Sequence, residues 1–487
     1  MKHTPPRHLW GGVLLWLSGC SALTPAPEHP AEQTLRERLP AFATAAASAT
    51  SAASTAQDPQ LPWPGSAAAH TTPPAPPEGP LTQDQAVRLS LQRSPALRAL
   101  LAQSQAQEAR LRASARPGLF GISLERLRRG DEVDVGRTLS LGLLDLLTWP
   151  WRDAAASRRV EAEQWQLTRQ VLSQAQAARV QWVQAVAAAQ RVRYLDDVHS
   201  AATTAAELAR RMQAAGHFSA AQAAVHEAAG IEARLASTQA RRQALAQREA
   251  LVRLLGLQGE EARRLALPDR LPDVPTGASP WTPDSVSQAA SQRRLDVRLA
   301  EARWQATRRS ASANASQSVF DVEAGWQRNS ATGEPVQRGP ELAIRLVAID
   351  FGVARRQATA LDEQAALAQW QQATLAAESS LRERLADQRA TLDTAQRAAR
   401  MLGPVRQRLL GERLKQYNGM LIGPFELINE ARLHTGAVLT ALDALRDFWL
   451  ADAALQAAID GIDTAPGALP TLSSPPSGSP APTEASH

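Results

Sequence analysis

Cysteine occurs once in this 487-residue chain, at Cys20, so no intrachain disulfide can form and a thiolate metal cluster is excluded. Lysine is nearly missing as well: Lys2 and Lys415 are the only two, and the formal net charge of +5 is made almost wholly of arginine. The arginines are scattered among Asp and Glu along helical stretches, the pattern of solvated helix faces, so no nucleic-acid partner is expected. Aromatic residues make up 4% of a composition that is 44% hydrophobic, which describes a helix-rich chain short of bulky core residues. Beyond the first twenty residues no segment approaches the roughly 18 uninterrupted apolar residues of a membrane helix. A membrane role would need a barrel.

Catalytic signatures are missing too. There is no phosphate-binding glycine loop, no His-Glu-x-x-His, and no nucleophile with a base near it in sequence. His199, His217, His226 and His434 are isolated from one another, and the four methionines include the initiator, so neither a metal site nor a thioether relay is visible. No enzyme activity, cofactor or bound metal is expected.

What is present is helix. From Asp153 to Ala215 there is neither glycine nor proline, and Ala, Gln, Arg and Leu dominate. At 1.5 Å per residue this helix would be about 90 Å long, too long for a compact domain to bury. Val171, Ala175, Ala178, Trp182, Ala185, Ala189 and Val192 alternate spacings of four and three, and the seam resumes at Leu195, Val198, Ala202, Ala205, Ala209 and Met212. Alanine at so many seam positions allows close approach but buries little area per helix, so several helices must lie side by side. A solitary coiled-coil rod is the alternative.

The N-terminal residues 1–20 carry a processing signal, with Lys2 and Arg7 before the apolar run Leu9 to Leu17 and then Leu17-Ser18-Gly19-Cys20. That tetrapeptide resembles a bacterial lipobox, which would make Cys20 an acylated N-terminus; a plain signal peptide with a chance cysteine is the alternative. Residues 21–80 and 464–487 are rich in Ala, Pro, Ser and Thr and are expected to be disordered, the first as a tether.

Between them the chain describes one unit twice. Thr82 is a candidate N-cap for a short helix that ends near Ser94-Pro95, and Thr282-Pro283-Asp284 opens another about 200 residues later. Each short helix is followed by a second helix and then by residues with a period of two, giving strands at about 118–127 and 137–147, then 318–328 and 340–349. Phe120, Ile122, Leu124, Val322, Trp326, Leu342 and Ile344 share the apolar faces, and Glu125, Asp321, Glu323 and Arg345 the polar ones. Strands of roughly 10 residues can cross a bilayer, with a lipid-facing apolar side and a wet lumen. Trp149 and Trp151, just past the second strand, fit a membrane interface. Four strands cannot close a barrel, and open edges are forbidden in lipid, so several chains would have to share one. Soluble hairpins packed on a helical core are the alternative. Long helices are expected at about 153–215 and 219–256, within a first repeat at 81–267. After a linker at 268–281, a second repeat at 282–463 carries long helices at about 353–417 and 425–462. Gly403-Pro404 should kink or break the third.

This order of elements, with Leu81-Thr82, Gln85-Ala86-Val87, Ser94-Pro95-Ala96-Leu97-Arg98, its echo Arg294-Leu295-Asp296-Val297-Arg298, and the ending Leu255-Gly256-Leu257, resembles the TolC-like outer membrane efflux family. The fold the resemblance implies is mostly α with a transmembrane β-barrel: a homotrimer sharing a twelve-stranded β-barrel and a twelve-helix α-barrel. It implies a passive outer-membrane exit duct for a tripartite pump, with a periplasmic adaptor and an inner-membrane RND pump as partners and outer-membrane lipid around the barrel. Tyr417-Asn418-Gly419-Met420-Leu421-Ile422-Gly423 further resembles a subset associated with copper and heavy-metal resistance. A type I protein-secretion duct and a non-channel coiled-coil lipoprotein are the alternatives. The resemblance implies an adaptor-docking tip at Gly216, His217, Phe218, Ser219, Tyr417, Gly419 and Gly423, although Met420 and Gly423 depart from the family's Gly and Ser. It also implies a periplasmic gate at Glu426, Asn429 and Glu430, with a glutamate that merely complements a helix dipole as the alternative.

Overall fold

Two short helices start on the same device. Thr82 accepts a hydrogen bond from the Gln85 backbone N–H while the Gln85 side chain accepts from the Thr82 N–H, and Thr282 and Ser285 repeat the exchange. These boxes open α1 (Gln83–Arg93) and, later in the chain, the helix Pro283–Arg293. The computed structural model describes residues 79–116, 121–129, 132–316, 320–331, 335–346 and 353–462. The signal peptide with Cys20, nearly all of the tether and the tail 464–487 lie outside the described residues.

In order, α1 is followed by α2 (Pro95–Ala115), β1 (Gly121–Arg129), β2 (Glu132–Gly142), α3 (Leu143–Ala214), α4 (Ala220–Leu255) and a short α5 (Gly259–Arg264). Then come α6 (Pro283–Arg293), α7 (Leu295–Ser316), β3 (Phe320–Ala331), β4 (Gln337–Leu346), α8 (Val353–Arg397), α9 (Gly403–Asn418) and α10 (Pro424–Asp460). The described chain is mostly helical, with one antiparallel sheet in the order β1-β2-β3-β4.

The organising helix is longer than the sequence suggests. It starts at Leu143, ten residues before the expected Asp153, and runs for 72 residues with Pro150 inside it. Proline lacks the N–H of one helical hydrogen bond, which is why Pro150 reads as a stop; here it costs that bond without ending the helix. The doublets Leu143-Leu144 and Leu146-Leu147 carry helical spacing, so β2 ends at Gly142 and not near residue 147. At 1.5 Å per residue α3 is about 108 Å long. It packs against α1, α2, α4, α7 and α10.

The alanine seam does what small residues allow. On α4 the buried positions facing α3 are His226, Gly230, Ala233, Ser237 and Ala240, spaced four and three. A Cβ on Gly230 would stand 3.6 Å from the Ala206 methyl, so the two backbones run close together. Bulkier residues gather where α1, the middle of α3, the end of α4 and the linker meet: Leu81, Leu89, Trp182, Val186, Leu251, Leu255 and Leu271 are all buried there. Trp182 donates its indole N–H to the Leu81 carbonyl at 2.8 Å, leaving the ring with no orphan polar atom.

Two left-handed glycines end the return helices. Gly256 (φ 68°) closes α4, and Gly461 (φ 69°) closes α10. Both also meet backbone: a Cβ on Gly256 would lie 2.8 Å from the Arg93 carbonyl oxygen, and one on Gly461 2.7 Å from the Leu295 nitrogen. Each return helix is thereby docked onto the junction between a short helix and its successor. The break expected at Gly403-Pro404 takes the form of one π-helical turn, Ala398–Leu402, in which the Gly403 N–H reaches back to the Ala398 carbonyl and Pro404 falls in the first turn of α9.

Candidate functional site

The sheet sorts its residues by face. In register, Ile122 opposes Leu139, Leu139 opposes Trp326, and Trp326 opposes Pro340; one step nearer the helices, Leu141 opposes Ala324 and Ala324 opposes Leu342. These side chains share one face, and most are uncovered: Ile122 is 76% exposed, Leu342 and Ile344 64% each, while Leu141 and Ala324 are half-buried. Leu146, Leu147, Trp149 and Trp151 continue the exposed apolar surface on the first turns of α3. Trp149 and Trp151 thus sit on the first turns of the helix that follows β2 directly.

The opposite face carries Glu125, Asp134, Glu323 and Glu341, and register sets Asp321 opposite Arg345. It also carries every glycine of the strands: Gly121, Gly136, Gly142, Gly325 and Gly339. At Gly325 a Cβ would come within 3.1 Å of the Leu139 carbonyl, and at Gly121 within 2.5 Å of the Ser140 hydroxyl. A sheet that lacks side chains on one face can curl towards it, which is the bend a barrel wall needs with its polar side inward. Alternation showed the two faces in the sequence. The concentration of glycine on one of them was also there, hidden until register assigned each strand its parity.

At the other end of α3 the chain turns into α4. The Ala215, Gly216 and His217 N–H groups donate to Arg211, Gln213 and Met212 carbonyls, and Gly216 takes φ 79°. Ser219 then caps α4: its hydroxyl accepts from Gln222 N–H, and Gln222 Oε1 accepts from Ser219 N–H at 2.8 Å, so an amide closes the box without an acidic residue. Phe218 stacks on the buried His226 with centroids 6.0 Å apart, fixing the loop to the helix. The α9–α10 turn repeats the bonding: Gly419, Met420 and Leu421 donate to Lys415, Tyr417 and Gln416 carbonyls. Met420 therefore stands where Gly216 stands, and it adopts φ 59° while 93% exposed. Gly423 takes the cap position of Ser219, with no side-chain bond. Gly419, whose φ is −82°, is not the left-handed residue of this turn.

The three gate candidates part company. Glu426 and Asn429 are exposed on the first turns of α10, with Arg413 3.8 Å from Glu426. Glu430 is 8% exposed and accepts from Arg406 of α9 at 3.3 Å. It is turned into the helix pair. Cys20 lies outside the described residues, and among these no group of three or more His, Cys, Asp or Glu could hold a metal ion. No described helix is long and apolar enough to cross a membrane.

Solved structures share this architecture over most of their length. A membrane protein from Pseudomonas aeruginosa matches with a TM-score of 0.64 at 18% identity, covering 78% of this chain and 90% of its own. The CmeC outer membrane channel of Campylobacter jejuni gives 0.63 at 14% identity, covering 79% and 89%. CusC, a transmembrane channel, gives 0.61 at 14% identity, covering 80% and 98%. No family model matches the sequence, and no curated protein matches it by sequence. At such identities what is shared is the fold, and it is the fold of TolC-like outer membrane channels.

Proposed function

We propose that the chain is the outer-membrane exit duct of an efflux system, a passive channel and not an enzyme. The observation that carries this is the four-stranded sheet, with its uncovered apolar face, its glycine-lined polar face and two outer strands, β1 and β4, each paired on one side only. Such a sheet is unstable in water and forbidden in lipid unless its edges are closed. Three copies supply twelve strands and close it, and the same symmetry gathers the long helices of three internally repeated chains into a tunnel. The fold shared with CmeC and CusC supports the reading.

Within it, Cys20 is the acylated anchor, Trp149 and Trp151 sit at the periplasmic-side interface of the outer membrane, and Glu125, Asp321, Glu323 and Arg345 line the lumen. The turns at Gly216–Ser219 and Tyr417–Gly423 are the docking tips for a periplasmic adaptor, beneath which lies an RND pump that selects the cargo, metal ions or small toxic compounds. Glu426 and Asn429 form the gate, and Glu430 holds α10 to α9 through Arg406.

Planar-bilayer recording of the purified, full-length protein tests the duct. A trimer in mild detergent that conducts with cation preference is expected, and Glu426→Gln should weaken that preference because a ring of three carboxylates attracts cations. A protein that stays monomeric and gives no conductance refutes the reading, and a preference unchanged in Glu426→Gln moves the gate elsewhere.

A further inference from the structure

Charge is segregated across the sheet. On the apolar face the row just beyond Trp326, towards the hairpin turns, is Leu124, Arg137, Arg328 and Arg338, with Arg137 directly opposite Arg328 and Arg328 directly opposite Arg338. Arg126 lies on the same face one step further out. All four arginines are exposed, none forms an ion pair among the described residues, and no acidic residue falls on this face there. The acids Glu125, Asp134, Glu323 and Glu341 are on the other side.

Neighbouring strands are about 4.8 Å apart, so three guanidinium groups in register stand closer than a Debye length, and like charges directly opposite one another destabilise a strand pair. Such a row is stable when an anion bridges it. The rows from Phe320 to Trp326 span about 20 Å of apolar surface along the strand, close to the thickness of the lipid-facing band of a membrane barrel. The arginines therefore come at the level where hydrocarbon gives way to headgroups, with Trp326 between the two.

We infer that Arg137, Arg328 and Arg338 form a binding site for the phosphate groups of an anionic membrane lipid, whose acyl chains lie on Ile122, Leu139 and Trp326. Guanidinium forks match phosphate oxygens in bidentate geometry, and adjoining apolar rows demand an amphiphile in place of a free anion. The inference rests on the sheet being a barrel wall. With the turns facing outward, the lipid is the phosphorylated glycolipid of the outer leaflet.

The test uses the full-length protein in nanodiscs containing bis-phosphorylated lipid A, with bound lipid counted by native mass spectrometry. Wild type should retain this lipid after delipidating washes, and retention should fall at least about tenfold for its dephosphorylated form and for Arg137→Gln/Arg328→Gln/Arg338→Gln. Arginine-to-lysine substitutions at the three positions should restore part of it. Arg338→Gln alone, on the outer strand β4, should give a partial loss if the triple variant fails to insert. Equal retention by the glutamine variants, or displacement of the lipid by millimolar inorganic phosphate alone, overturns the inference while leaving an inserted duct in place. A wild-type protein that enters no membrane overturns the duct reading and this inference with it.

Discussion

Among single residues, Asp452 shows most directly how the helical bundle trades polarity against burial. It sits on α10 facing Gln388 of α8, accepting from Gln388 Nε2 at 3.4 Å and from Gln456 Nε2 at 2.9 Å. Burial pushes its carboxyl above the usual carboxylate range, and those two hydrogen bonds with the nearby Arg179 charge only partly offset the shift. A carboxyl that holds its proton more tightly in the folded chain costs stability once ionised. The cost is absent below the unfolded value of 3.8, grows as pH rises between the two values, and is complete above the folded one. Asp452→Asn should therefore stabilise the protein at about pH 7, and the advantage should fade as pH falls towards about 4 and be gone below it. The introduced amide can also donate to Gln388 Oε1, a buried acceptor with no partner. Thermal unfolding of both proteins across this pH range checks it; a gain that does not vary with pH would trace the effect to hydrogen bonding alone.

Among elements, the two helical turns are a matched pair with one discordant residue. Gly216 and Met420 occupy the same place in the same hydrogen-bond pattern, and a residue with a side chain pays about 1 kcal/mol to sit in the left-handed region. Met420→Gly should raise stability by about 1 kcal/mol in denaturant unfolding. If the exposed thioether is retained for docking, the same substitution should weaken adaptor crosslinking from the α9–α10 turn and spare that from Ser219. A variant that is no more stable would mean that Met420 is held without strain. The turns were legible in the sequence because Gly216, Ser219 and Gly419 punctuate long helical stretches, but Met420 was not: nothing in a methionine announces a positive φ. Pro150 misled in the opposite sense. A proline between two tryptophans reads as a boundary, and only the packing of a 72-residue helix on five others makes one missing hydrogen bond tolerable. Glu426 and Glu430 were legible as carboxylates on the first turns of α10, whereas the burial of Glu430 depends on Arg406, 24 residues away, which no local pattern reveals.

At the scale of the whole molecule, two long helices still carry faces that no described residue covers. Beyond His226, the seam of α4 towards α3 is Gly, Ala and Ser, while a second seam holds Ile231, Leu235 and Leu245, 56–66% exposed. On α8, Leu361 and Leu375 are two heptads apart, and both are exposed. Large residues on the free seam and small ones on the covered seam invert the order of a monomeric bundle, where the bulky residues go inside. Covering one Leu or Ile removes about 1.5–3 kcal/mol of unfavourable hydration, so three such residues on α4 meeting α8 of a neighbour can hold copies together as the unclosed sheet requires. Ile231→Arg with Leu235→Arg should leave helix content and the fold of one chain intact, because both side chains point away from α3. The same change should convert the proposed trimer to monomer in mild detergent and abolish bilayer conductance. Light scattering and circular dichroism separate the two effects: a trimer that survives both substitutions would place the interface on other helices, and a loss of helix content would mean that the seam serves the single chain.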